Sequence, residues 1–217
     1  MQPIVAIPIA AAVAALIGWW LRRNLATLSY RYNDELNLPD PGQRWWVIWV
    51  TIAAITSLTA AAALRTDLLS LLPLLPLAIS GSWLAAVDFD VKRIPNHVLI
   101  PTAMLTAALL LVTTFWNGDA SAPLLGLLGG GLGGGTFAVV HFATKGGIGF
   151  GDVKLAATIG LSIGHLGLTA VCVAFLAGSI VALIWAAISK QRGPFAYGPW
   201  LLLGAWIVSF LYVAGRG

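Results

Sequence analysis

Residues 153–165, VKLAATIGLSIGH, are mostly apolar but only about a dozen long. A helix needs about 20 residues to cross a hydrocarbon core of roughly 30 Å. This stretch is therefore either a short crossing or a half-helix. The choice decides the fold, because one crossing more or fewer inverts everything downstream. Working outward, apolar windows of full length fall at roughly 3–21, 45–64, 68–87, 97–115, 121–143 and 167–188, with a slightly shorter one at 199–214. Counting 153–165 makes eight.

Composition agrees with a membrane location. Of 217 residues, 59% are hydrophobic and 9% charged, against about 25% charged in soluble domains. Mean hydropathy is +0.90. The runs are continuous and far longer than the roughly 10-residue alternating strands of a barrel. The fold class read here is all-α, a polytopic membrane helix bundle of about eight transmembrane segments.

Basic residues test the count. The opening MQPIVAIPIAAAVAALIGWWLRR has no positive charge before its apolar run and two after it. That polarity is wrong for a cleaved secretory signal, so it reads as a retained span with its N-terminus outside. With eight spans the inside loops hold Arg22, Arg23, Arg31, Arg44, Lys92, Arg93, Lys145, Lys154, Lys190 and Arg192. The outside holds Arg65 and Arg216. This positive-inside bias explains the net charge of +4 as an orientation signal, with the lipid bilayer and not nucleic acid as partner. Trp19, Trp20, Trp45, Trp46, Trp116 and Trp200 sit at predicted span ends, where indole rings favour the interface. Gly126, Gly130 and Gly134, with Gly129 and Gly133 beside them, give the fifth span a small face for close helix packing. The lone cysteine, Cys172, is read as a small core residue; no CxxC metal site can be built from it.

Five of the eight acidic residues (Asp34, Glu35, Asp40, Asp67 and Asp119) fall in predicted loops and read as solvated charge. Asp88, Asp90 and Asp152 remain. The first two lie in AAVDFDVKRIPNH at the inside end of the third span; Asp152 opens the sixth segment in GGIGFGDVKL. Two spans intervene, so both sites return to one face. Carboxylates at a helix end near lipid are costly unless paired, hydrated or functional. Salt bridges to Lys92, Arg93 and Lys154 are one solution. The local backbone favours another: Gly149 and Gly151 flank Phe150 just before Asp152, permitting positive φ and close approach of a second chain, and Pro95-Asn96 supplies a stiff turn and a helix cap. Two adjacent carboxylates share a proton, so one acts as base and the other as acid. Such a pair activates water and protonates a leaving amide. His97, His141 and His165 are scattered, so no metal site is expected.

Gly149-Phe-Gly-Asp152, followed by Val-Lys-Leu, resembles the GxGDxK signature of the type IV prepilin peptidases, which are integral-membrane aspartic peptidases. Asp88 precedes Pro95-Asn96 by seven residues, a spacing similar to that family's first aspartate motif, which Asp90 does not have. GPFAYGPWLLLGAW at 193–206 is similar to its Pro-Phe-Gly-Pro segment. The resemblance covers roughly residues 68–214 and implies that Asp88 and Asp152 are the catalytic pair, with no cofactor. It implies a prepilin or pseudopilin substrate, cut between a short basic leader and an apolar helix at the cytoplasmic face of the inner (plasma) membrane. Gly149, Phe150, Gly151, Pro95 and Asn96 would form the active-site loop. Asp90 would orient or solvate the site, and Lys154 would contact lipid headgroups or a substrate carboxylate. One peptidase domain, 1–217, is expected, with N-terminal spans in 1–67 and the aspartate motifs in 68–214.

One departure stands out. Many members carry paired CxxC motifs that bind zinc between their first two spans, and methylate the new N-terminus with S-adenosylmethionine. Here that connection, LRRNLATLSYRYNDELNLPDPGQRW, has no cysteine, so peptidase activity alone is expected. A transporter using Asp88 and Asp152 as ion or proton sites is the rival reading, and a structural subunit of a secretion apparatus is a third. Against the transporter, both aspartates lie near one membrane face and the spans show no repeat.

Overall fold

The computed structural model describes residues 3–65, 67–118, 120–189 and 195–215. Asp119, Lys190, Arg192, Arg216 and the Gly193-Pro194 start of the 193–206 segment lie outside the described residues. Among the described residues eight α-helices follow one another: α1 Pro3–Ala26, α2 Trp46–Leu64, α3 Leu75–Val91, α4 Asn96–Asn117, α5 Ser121–Ala143, α6 Phe150–Ile163, α7 Leu168–Ser189 and α8 Gly198–Gly215. A 3-10 turn, Leu69–Leu74, leads into α3. No strand occurs among the described residues. Among the described residues seven helical segments are long and apolar enough to cross a bilayer, with α6 the exception. The chain is an integral membrane protein.

The short segment crosses nonetheless. α6 has 14 residues, and a 3-10 turn, Gly164–Leu166, continues it. At 1.5 and 2.0 Å per residue the two reach about 27 Å. At the far end Ser162 Oγ donates to the Pro73 carbonyl at 2.9 Å, and the His165 ring lies 3.0 Å from the Ser70 carbonyl. Those partners belong to the start of the third span, opposite Asp88. The physical reason for so short a crossing is burial: Leu155, Ala156 and Ile159 have no exposed surface. Enclosed by protein, α6 needs neither lipid-facing bulk nor overhanging turns.

Glycine permits this enclosure. Gly126, Gly129, Gly130, Gly133 and Gly134 of α5 all lie against α6 backbone or side chains, while Gly131 and Gly135 face open space. A Cβ on Gly160 would overlap the Gly129 carbonyl, and one on Gly129 would overlap the Gly160 carbonyl. Backbone cannot yield as a side-chain tip can. Gly160→Ala is expected to destabilise by about 1–3 kcal/mol or more. Gly131→Ala should instead be neutral or stabilising by about 0.5–1 kcal/mol, since alanine is the better helix former. Thermal unfolding of the two variants in detergent checks the difference.

Two sequence readings are corrected. Cys172 is exposed, because Ala170, Val171, Ala174 and Gly178 take the inner face of α7. Trp19, Trp20, Trp45, Trp46 and Trp116 point outward as interface anchors should. Trp200 differs: it packs between helices, its ring 6.0 Å from Phe89 and 5.2 Å from Trp185.

Candidate active site

Asp88 sits in the last turn of α3 and is 3% exposed. Asp90 lies two residues on, about 200° around the helix, and faces the α1–α2 connection. There Arg31 grips it twice, Nε to Oδ2 at 2.9 Å and Nη2 to Oδ1 at 2.8 Å. Tyr30 Oη also donates to Asp90, and Arg44 Nη2 lies 3.2 Å away. Arg31 further donates to the Leu38 and Pro39 carbonyls. This buried cluster folds the loop back onto the end of α3. The helix then stops at Lys92, in the left-handed region at φ 55°, and the chain turns through Arg93 and Ile94 into α4.

Asp152 occupies the first turn of α6, its amide donating to the Gly149 carbonyl at 3.0 Å. The side chain is half-buried. Its Oδ1 is buried and has no hydrogen-bond partner among the described residues. Ile94 holds the two sides together. A Cβ on Gly151 would meet Ile94 at 3.4 Å, and one on Gly198 would meet the other side of Ile94 at 3.1 Å. The Gly198 amide, opening α8, donates to Asp88 Oδ2 at 3.0 Å. The positive end of that helix thus points at a carboxylate. A Cβ on Gly198 would stand 3.0 Å from the same oxygen, so only glycine fits without displacement. Neither Asp88 nor Asp152 forms an ion pair with a described residue. The salt bridges that the sequence allowed are made elsewhere: Arg93 with Glu35, and Asp90 with Arg31 and Arg44.

The remaining sequence-predicted residues surround this end of the bundle. Phe150 is 50% exposed, edge-on to the His141 ring at 5.6 Å, with Lys154 Nζ 5.2 Å from its centre. Lys154 Nζ donates to Asn96 Oδ1 at 3.1 Å, tying α6 to α4. Pro95, not Asn96, occupies the cap position of α4; its carbonyl accepts from the Val98 and Leu99 amides. Asn96 is already helical, which frees its side chain for Lys154. Gly149 has an ordinary φ of −63°, and Gly151 likewise needs no positive φ. The left-handed turn is made earlier, at Lys145 (φ 52°) and Gly146 (φ 89°). Close approach is what the motif glycines provide: a Cβ on Gly149 would stand 3.4 Å from Asp152 Oδ2. Sequence reasoning assigned no role to Ile94 or Gly198. Gly198-Pro199 was a usable signal, since a helix opening on glycine and proline leaves its first amide free and its rim bare.

Outside the spans, Glu35 is not the solvated charge its loop position suggested. Arg93 donates to it at 2.9 and 2.7 Å, and stacks over the Tyr32 ring at 3.6 Å. The Arg93 hydrogen bonds hold the Glu35 carboxyl below its ordinary value despite its partial burial. A lowered carboxylate adds stability at pH values above its unfolded value, lost as pH falls through the folded one. The clamp on the 31–44 loop should therefore be intact at pH 6 and be lost as pH falls below the ordinary glutamate value of about 4.3. Amide exchange in that loop, measured at pH 6 and below pH 4 and corrected for intrinsic rates, should rise on acidification in wild type. In Glu35→Gln it should already be high at pH 6.

The arrangement is two carboxyl groups on separate helices, neither ion-paired to a described residue, at one end of the bundle. That is a site able to move protons. No group of three His, Cys, Asp or Glu side chains suited to a metal occurs among the described residues. The model of the type IV leader peptidase family matches residues 75–187, which runs through both aspartates. The chain is 43% identical over 71 residues to a prepilin leader peptidase/N-methyltransferase of Pectobacterium carotovorum subsp. carotovorum, covering 31% of this chain and 25% of that relative. The match thus spans about a quarter of the relative's length. No solved structure matches. With more than half its length matched by the family model, the chain belongs to the type IV leader peptidase family.

Proposed function

We propose that this chain is a membrane aspartic endopeptidase that removes the leader of prepilin-like proteins, acting as one domain at the cytoplasmic face of the inner membrane. What supports the reading is that Asp88, buried, and Asp152, half-buried, lie at one end of the bundle, with Gly151 beside Asp152 and Gly198 beside Asp88 both packed on Ile94 and neither aspartate ion-paired to a described residue. One carboxylate takes a proton from a water molecule, whose oxygen attacks the scissile carbonyl. The other carboxyl, protonated, gives its proton to the departing amide nitrogen. Burial keeps bulk water and counter-ions from quenching this exchange. The Gly198 amide fixes the direction in which Asp88 faces. Gly149 and Gly151 keep the rim bare where a peptide must approach. The first loop has no cysteine, and methylation of the product is not part of the proposed activity.

The test is leader cleavage. The chain is co-expressed with a set of prepilins and pseudopilins in a host lacking its own leader peptidase, and each pilin's mass is read. Loss of the leader with wild type, and not with Asp88→Asn or Asp152→Asn, is the expected result. Cleavage that survives both substitutions would sink the mechanism.

A further inference from the structure

The helix that carries Asp152 begins without a side-chain cap. Gly149 stands at the cap position of α6 and has no side chain to bond the free amides that open a helix. The chain reaches it through Lys145-Gly-Gly-Ile-Gly149, where three glycines in five residues leave the backbone many ways to turn. Gly151, the second helical residue, adds the same freedom inside the first turn. Asp152 is the third, and its amide bonds the Gly149 carbonyl at 3.0 Å. That turn closes only if the Gly149 peptide is held. A frayed turn would leave the Asp152 carboxyl without a fixed place.

One side chain reaches the segment that must be held. His141 Nδ1 lies 2.6 Å from the carbonyl of Ile148, the residue just before Gly149. A carbonyl only accepts, so the ring donates from Nδ1. The ring is also edge-on to Phe150 at 5.6 Å, and the His141 carbonyl accepts from the Gly146 amide at 2.8 Å. His141 therefore touches the connection at residues 146, 148 and 150. Thr144 Oγ1 also accepts from the Gly147 amide at 3.1 Å, but that bond closes the end of α5 and stops short of Ile148. His141 stands seven residues after Gly134 and eight after Gly133, on the α5 face that packs against α6. Glycine lets the two helices touch there. Two turns later, a polar ring spans the gap to the loop.

We infer that His141 is a positioning residue for the peptidase reaction: through the Ile148 carbonyl it fixes the first turn of α6, and with it the Asp152 carboxyl. The inference rests on the peptidase reading and deepens it. Two substitutions separate the donor from the ring. Asparagine carries its side-chain N–H two bonds from Cβ, as Nδ1 does, and so keeps the donor. Phenylalanine keeps a ring against Phe150 and loses the donor.

The first arm uses the full chain in detergent with no substrate. Amide exchange over residues 149–154 should rise about tenfold or more in His141→Phe and stay near wild type in His141→Asn. Exchange over 159–164, at the far end of α6, should be alike in all three. The second arm uses a prepilin that wild type cleaves. Counted per folded molecule, kcat should fall about tenfold in His141→Phe with KM nearly unchanged, because the ring sets the aim of the carboxyl. His141→Asn should recover most of that loss. Unchanged kcat in His141→Phe, with or without faster exchange, would overturn the inference and leave the peptidase intact. So would equal losses in the two variants, since the donor would then not be the cause. Wild type that cleaves no prepilin overturns the peptidase reading, and the positioning role with it, whatever the exchange shows.

Discussion

Asp88→Asn and Asp152→Asn are each expected to slow leader cleavage by about 10²–10⁴-fold, and the double variant to be scarcely slower than either alone. The reason is shared work. Base and acid act on one water and one amide in the same step, so removing either leaves the other with nothing to complete. Groups that act as a unit lose activity non-additively. Each asparagine keeps the shape of its carboxylate, and neither aspartate holds an ion pair that its loss would break. Folding in detergent should therefore survive, and single-turnover rates on matched amounts of protein are the decisive measurement. Multiplicative losses in the double variant would mean that the two side chains contribute separately. The proton-sharing pair would then be wrong even if both residues mattered.

The opposite pattern is expected two residues from Asp88. Asp90→Asn should leave the rate per folded molecule nearly unchanged but destabilise the protein by about 3–5 kcal/mol, the cost of leaving a buried charge uncompensated. Side-chain exposures of 2% for Arg31 and 7% for Asp90 put their contact in that regime. Losing the carboxylate also strands Arg44, 6% exposed. Introducing Arg31→Met beside Asp90→Asn removes one stranded charge and should recover part of the loss. Denaturant titration alongside cleavage separates the two effects. A fall in rate at full folding would instead bring Asp90 into the chemistry.

The contrast between Asp88 and Asp90 shows where reading a sequence stops. The limits of the seven long spans and the return of both aspartate motifs to one end were legible, because each follows from local quantities: length of apolar run, charge at its ends, and parity. Spacing to Pro95 already separated Asp88 from Asp90. The short crossing 153–165 was legible only as a question. What answers it is the enclosure of α6 by neighbours and the contacts of Ser162 and His165 with the third span's far end. The motif glycines were noticed for the right residue type but the wrong freedom. Their backbone is ordinary, and they matter for what stands beside them.

By itself, then, the sequence determined a membrane bundle of seven long helices, and an eighth segment left open, with two carboxylate motifs at one end, since hydrophobic length and helical rise are properties of each segment alone. Only the tertiary structure decided which partners each charge takes. Asp90 lies with Arg31 and Arg44, Glu35 with Arg93 and Lys154 with Asn96, while Asp88 has the Gly198 amide and Asp152 Oδ1 has no partner among the described residues. These contacts join residues 58 to 110 positions apart, except for Arg44, which closes on Asp90 across 46. A short-range pattern carries no information about such pairs. They are chosen by helix rotation and by backbones that approach closely wherever glycine leaves room.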